Sequence, residues 1–119
     1  MARYVDGFVI PIKKKNLVAY KKMAKLGCKV WMEHGALEYY ETVGDEVNSP
    51  WGVPFTKLCN LKKDETLIFA FIVYKSKADR VRINKKVQTD PRMTGMQDMV
   101  MPFDMKRFTV GGFKVLVQK

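Results

Sequence analysis

An α+β fold, with one antiparallel sheet carrying two helices on one face, is predicted by three features of this 119-residue chain. Segments of strand and helix character follow in the order β, α, β, β, α, β. The helical stretches place apolar residues at steps of three and four. One run, Thr66 to Tyr74, is apolar at nearly every position, as in a strand covered on both sides. The length fits a single domain spanning residues 1–119.

The first element, Tyr4 to Ile12, is apolar and β-branched with Pro11 near its end, and reads as a strand. Lys13-Lys14-Lys15 reads as a solvated loop. Asn16 is placed to cap a helix running to about His34, with Gly35 as its left-handed stop. Tyr20, Ala24, Gly27, Trp31 and His34 form one stripe of that helix, widened by Leu17, Met23 and Val30. Lys21, Lys22, Lys25 and Lys29 fall mostly off it. Ala36 to Val43 reads as the second strand. Gly44 to Pro54 is a loop holding Trp51. Phe55 to Leu61 reads as a weaker strand, and Lys62-Lys63-Asp64-Glu65 as a turn. Thr66 to Tyr74 is the strongest strand. Lys77 to Val87 reads as a helix with Ala78, Val81, Asn84 and Val87 inward, and Arg80, Arg82, Lys85 and Lys86 largely outward. Asp90-Pro91 opens a short helical turn. Arg107 to Val117 reads as the last strand, with Gly111-Gly112 marking a bulge or a close backbone approach.

This order is the ferredoxin-like βαββαβ layout, with an insertion before the third core strand. In that strand Leu67, Phe69, Phe71 and Val73 point one way, and Ile68, Ala70, Ile72 and Tyr74 the other. Both sets are apolar, yet two helices can cover only one. A bare second face would exceed the apolar patch that monomers usually expose. A second copy stacked sheet against sheet resolves this, so the expected state is a homodimer.

Composition narrows the function classes. The net charge is +10. It is +6 over residues 1–35, −3 over 36–66 and +7 over 67–119, so the excess sits at the two ends and largely on the two helices. No apolar run approaches the ~20 residues of a membrane span. No basic stretch followed by an apolar one opens the chain, so a cytoplasmic protein is expected. Cys28 and Cys59 form neither a metal motif nor a disulfide framework and read as reduced thiols. No cofactor fingerprint and no metal-ligand spacing is present, so neither is expected.

Several segments are familiar in combination: Ala2-Arg3-Tyr4-Val5-Asp6-Gly7-Phe8-Val9, Gly35-Ala36-Leu37, Val73-Tyr74-Lys75-Ser76, Asp90-Pro91-Arg92-Met93, Met101-Pro102-Phe103-Asp104 and Gly111-Gly112-Phe113. Together they resemble the YbaA-like family of bacterial proteins, a domain of unknown function, over nearly the whole chain. Met105 stands where that family often has Gly, and Phe71 where it often has Trp. The resemblance implies a dimeric α+β barrel, in which two ferredoxin-like sheets pack together. It implies no established activity.

Few residues carry chemistry. His34 is the only histidine. It ends the first helix beside Trp31, where it could serve as a base. Its simpler role is to interact with the helix dipole and the free carbonyls. Asp6 lies in a central strand, where a carboxylate must be paired or protonated. It is either a site acid or base, or half of an ion pair with Arg107 or Arg3, or it escapes to solvent at the end of the sheet. Trp51, Met99, Met101 and Phe103 lie in irregular segments, placed either to line a ligand pocket or to close the core and the dimer.

Two functions from different classes follow. One is a small-molecule pocket between sheet and helices, binding or cofactor-free enzymatic, marked by Asp6, His34, Trp31, Trp51, Met101 and Phe103. The alternative is RNA binding. RNA-recognition motifs share the layout, and Phe69-Ala70-Phe71-Ile72-Val73-Tyr74 matches the last six positions of their signature. Against it, Leu67-Ile68 replaces the expected basic residue and glycine, the charge lies on helices, and a dimer would bury the sheet face. No specific nucleic acid is therefore expected. A protein-interaction role for the basic surface stays open.

Overall fold

The computed structural model describes residues 2–96 and 99–119. Strand β1 (Tyr4–Lys13) leads through a single 3-10 turn into helix α1 (Leu17–Glu33). Strand β2 (Glu38–Val43), a short helix α2 (Phe55–Leu58) and strand β3 (Glu65–Tyr74) follow. Helix α3 (Lys77–Gln88), a one-turn helix α4 (Pro91–Thr94) and strand β4 (Thr109–Lys114) complete the chain. The four strands form one sheet in the order β2-β3-β1-β4, and each neighbouring pair is antiparallel. This is the ferredoxin-like α+β arrangement. Among the described residues no helix is long and apolar enough to cross a membrane.

The register shows which residues share a face, because directly paired residues point to the same side. Phe8 pairs with Ala70, and Ala70 with Glu41. This row faces the helices, as do Ile10, Ile68, Ile72 and Tyr74, which are buried against α1 and α3. Each such side chain contributes about 1.5–3 kcal/mol on burial. Val9 pairs with Phe69 and Gly7 with Phe71, and Phe71 with Tyr40. These lie on the opposite face, which neither α1 nor α3 covers, although Leu67 and Val73 on it are buried. There the Tyr40 and Phe71 rings stack at 5.0 Å, Phe69 lies 5.8 Å from Phe71, and Phe69 is 47% exposed. Both faces of β3 are thus apolar, and the helices cover one.

Helix α1 stops where expected. Gly35 takes φ +117, a conformation that side-chain-bearing residues rarely adopt. Its start differs from expectation. Lys14–Asn16 form the 3-10 turn, and Asn16 makes no side-chain cap. Its amide instead donates to the Pro102 carbonyl at 3.0 Å, tying the helix start to a distant loop. Ser76 caps α3 by accepting from the Asp79 amide, and Asp90 caps α4 by accepting from the Arg92 amide, with Pro91 in the first turn.

Three expectations are corrected, and the alternative at Gly111-Gly112 is resolved. Phe55 to Leu61 is not a strand. Pro54 is extended and its carbonyl accepts from the Leu58 amide, starting one helical turn that ends at Asn60 with φ 49. The last strand covers only Thr109–Lys114; at its start Arg107 is drawn off to Glu65 and to the Cys59 and Asn60 carbonyls before β3. Gly111-Gly112 makes no bulge, since both pair in unbroken register with Gly7 and Asp6. Close approach does hold, because a Cβ on Gly112 would lie 2.5 Å from the Tyr4 hydroxyl oxygen. Finally, α3 buries Ile83 and Val87, while Ala78 and Val81 are exposed.

Candidate functional site

Asp6 is 3% exposed, and its partner is neither Arg107 nor Arg3. Arg80 of α3 places Nε at 2.9 Å and Nη2 at 2.8 Å from Asp6 Oδ1. The guanidinium also lies 5.4 Å from the centre of the Tyr4 ring. On the other oxygen, the Tyr74 hydroxyl donates at 2.9 Å and Asn84 Nδ2 at 3.3 Å. Asn84 Oδ1 in turn accepts from Trp31 Nε1 at 2.9 Å. Burial, then the neighbouring Asp6 charge, push the Tyr74 phenol well above its ordinary range, so it stays a donor. This saturated network holds Trp31 in place through Asn84. Each oxygen of the Asp6 carboxylate thus meets two donors.

His34 is also engaged. Its Nε2 lies 2.8 Å from Asp90 Oδ2. Arg92 contacts both oxygens of the same carboxylate and reaches Glu33 at 2.6 Å. Arg92 first, and His34 second, hold the Asp90 carboxyl well below the usual carboxylate range. The cluster fastens the end of α1 to the start of α4. Arg107 does the same elsewhere. It bonds Glu65 at 2.7 Å and the carbonyls of Cys59 and Asn60 at 3.0 Å.

Away from these ion pairs, a cleft of about 300 Å³ opens between sheet and helices. Phe8, Ile10, Ala70 and Ile72 form its floor. Tyr20, Met23, Ala24, Gly27 and Trp31 of α1 form one wall. Met93, Met96, Met101, Phe103, Met105 and Phe108 close it from the segment between α3 and β4. Phe103 packs edge-on to Tyr20 at 5.9 Å and stacks on Phe108 at 5.7 Å. Methionines and aromatics together make a wall that adapts to an apolar ligand. A second, outer groove of about 450 Å³ runs between α1 and the edge strand β2, past Lys21, Lys25 and Cys28.

One carboxylate is shared by both hollows. Glu41 points to the helix side of β2 and lines the cleft and the groove. Its Oε1 accepts from the Tyr20 hydroxyl at 2.6 Å, and its Oε2 from the Tyr39 hydroxyl at 2.7 Å. Both phenols are driven far above their ordinary range, first by burial and then by Glu41, so they remain protonated donors. Gly27 makes room for this arrangement, since a Cβ there would lie 3.0 Å from the Tyr39 oxygen. The result is a mostly apolar cleft with one anionic, hydrogen-bonded end.

The cleft therefore gathers Trp31, Met101 and Phe103, and it leaves out the other sequence candidates. Trp51 is 86% exposed in the 44–54 loop, and Met99 is exposed too. Asp6 is bound in an ion pair with Arg80, and His34 is hydrogen-bonded to Asp90, both outside the cleft lining. Glu41, Tyr20 and Tyr39 were not singled out by sequence. The available signal was strand alternation, which places Tyr39, Glu41 and Val43 on one side of β2, facing a helix that carries Tyr20 in its buried stripe. Among the described residues no group of three or more His, Cys, Asp or Glu is placed to hold a metal.

Comparison with known proteins places this geometry. A crystal structure of a dimeric ferredoxin-like protein from an uncultured marine organism superposes over all of both chains with a TM-score of 0.62 at 13% identity. The likeness is one of fold. The uncharacterized protein YbaA of Escherichia coli K12 is 33% identical over 117 residues, covering 98% of this chain and 99% of its own. The uncharacterized protein YbaA of Shigella flexneri matches equally. Residues 3–105 match the model of a family of proteins of unknown function, DUF1428. The chain belongs to that family.

Proposed function

We propose that this chain works as a homodimer, and that each subunit binds a small, mostly apolar molecule in the cleft between its sheet and helices. The observation that carries the reading is the cleft itself. Its 300 Å³ volume lies at the lower end of the usual range for small-molecule sites, and its aromatic and methionine walls are typical of them. Glu41 and its two tyrosines give it one oriented polar end. Pairing of the open sheet faces is supported by their exposed aromatics and by the dimeric state of the fold neighbour.

Binding rather than catalysis is the part of the function that the geometry supports. The one histidine and the one buried strand aspartate are each tied to a charged partner. Ala70 gives the direct test. It sits on the cleft floor between Phe8 and Glu41, and it is buried. Ala70→Leu should fill part of the space and leave the fold as stable or more so, by up to ~1 kcal/mol. A thermal-shift and NMR screen with molecules of about 10–15 heavy atoms should find ligands for the wild type that Ala70→Leu refuses. Equal binding by both proteins, or no ligand for either, rejects the cleft.

A further inference from the structure

We propose that the ligand of this cleft carries a positively charged nitrogen, an amine or quaternary ammonium, seated against Glu41. The proposal rests on the cleft being a binding site and adds the chemical class of what enters it. Among the described residues, Glu41 is the only charged side chain lining the cleft. Although the molecule as a whole carries a charge of +10, no lysine or arginine is among those lining residues. Lys21 and Lys25 line the outer groove, and neither lies within 4.0 Å of the Glu41 carboxylate.

Glu41 accepts one phenol on each oxygen, and each oxygen keeps further acceptor capacity. An open cleft lets water meet that need. A ligand that fills the cleft expels the water and leaves a carboxylate whose only partners are two neutral donors. A neutral apolar ligand would incur that desolvation in full. An anion would meet an acceptor and no cation. A cationic nitrogen offsets the loss, and if ammonium in form it also supplies N–H donors. The rest of the wall favours the same class. Phe8, Trp31, Phe103 and Phe108 join the two tyrosines, and aromatic rings are the neutral side chains that best accept a cation.

The test uses three phenyl probes on the intact protein: phenyltrimethylammonium, its neutral isostere tert-butylbenzene, and the smaller anion benzoate. Affinities are read by NMR titration at about 150 mM salt, where screening weakens the positive surface's repulsion of the cation and its attraction for benzoate. The cation should bind about tenfold or more tighter than the isostere, and benzoate weakest. Glu41→Gln should remove most of that preference while keeping tert-butylbenzene binding. Should that variant not fold, the ratio between cation and isostere in the wild type decides alone. Equal affinity for the cation and its isostere overturns the proposal and leaves the cleft standing as a neutral site. No binding of any probe, together with no ligand lost in Ala70→Leu, removes both.

Discussion

Asp6 and Arg80 are 74 positions apart in sequence, and each explains the other. An acid in a central strand must find a cation, and an arginine on a helix turns inward only when a buried anion holds it. The pair is unequal in its access to water. The Asp6 side chain is 5% exposed and that of Arg80 28%. Removing the cation strands a carboxylate that cannot reach solvent. Removing the anion leaves a guanidinium that can swing out. Arg80→Met should therefore cost about 3 kcal/mol, and Asp6→Asn nearer ~1–2 kcal/mol. Urea denaturation of the two variants checks the order. Because Asn84 links Asp6 to Trp31, both variants should also shift the fluorescence of the folded protein. Equal costs, or a larger one for Asp6→Asn, would mean that Arg80 is not what keeps Asp6 buried. The inward role of Arg80 was not legible from helix periodicity, which assigns charged positions outward. Nor was Glu41, because an acid between tyrosines on a short strand looks like an exposed edge.

At the scale of elements, β1, α1 and β3 were legible because each repeats its apolar spacing over two turns or more, or over a long run. Helix α3 was placed correctly but with part of its inward face misread, since Ala78 and Val81 are exposed and Ile83 is buried. Short elements fared worse. Phe55 to Leu58 has no room to show a period, so Phe55 and Leu58 looked equally suited to a strand. The last strand was read too long because Arg107 and Phe108 resemble strand residues, whereas long-range contacts claim both. Those contacts give a pH prediction. The Arg107 hydrogen bond is the chief cause that holds the Glu65 carboxyl below its usual range, and Arg92 does the same for Asp90. A carboxyl depressed on folding adds stability above its unfolded pKa and loses it as pH falls through the folded one. Stability should thus be level near neutrality and fall below about pH 4. Arg107→Met should remove part of the stability at pH 7 and flatten the fall in acid. Denaturation midpoints at pH 7 and near pH 3 decide, and a variant with the same acid loss as the wild type would show that Glu65 contributes nothing to it.

At the scale of the whole molecule, the two long helices cover one side of the sheet, and on the other Leu67 and Val73 are buried while the aromatics between them stay open. On the helix side Ile10, Ile68, Ile72 and Tyr74 are buried within this chain. On the other side Tyr40, Phe69, Phe71 and Phe113 share a face with Val5 and Val9, and several of them meet solvent in the single chain. A patch of that kind usually marks an interface. Two such faces stacked would bury the aromatics of both copies and leave each cleft open on the outer side of its own sheet. Phe69 is 47% and Phe113 59% exposed, so neither is needed to fill the core of one subunit. Phe69→Glu with Phe113→Glu should accordingly keep the fold and break the pairing, since four carboxylates would have to enter an apolar interface. Sedimentation at low micromolar concentration is the measurement. The wild type should run as twice its 13.8 kDa chain, and the variant as a folded monomer with unchanged circular dichroism. A variant that stays dimeric would move the interface elsewhere, to an edge strand such as β2. A monomeric wild type would refute the dimer and return the bare aromatic face to the competing use its sequence suggests. Binding of single-stranded RNA, lost on Phe69→Ala and Phe71→Ala, would then be the outcome to seek.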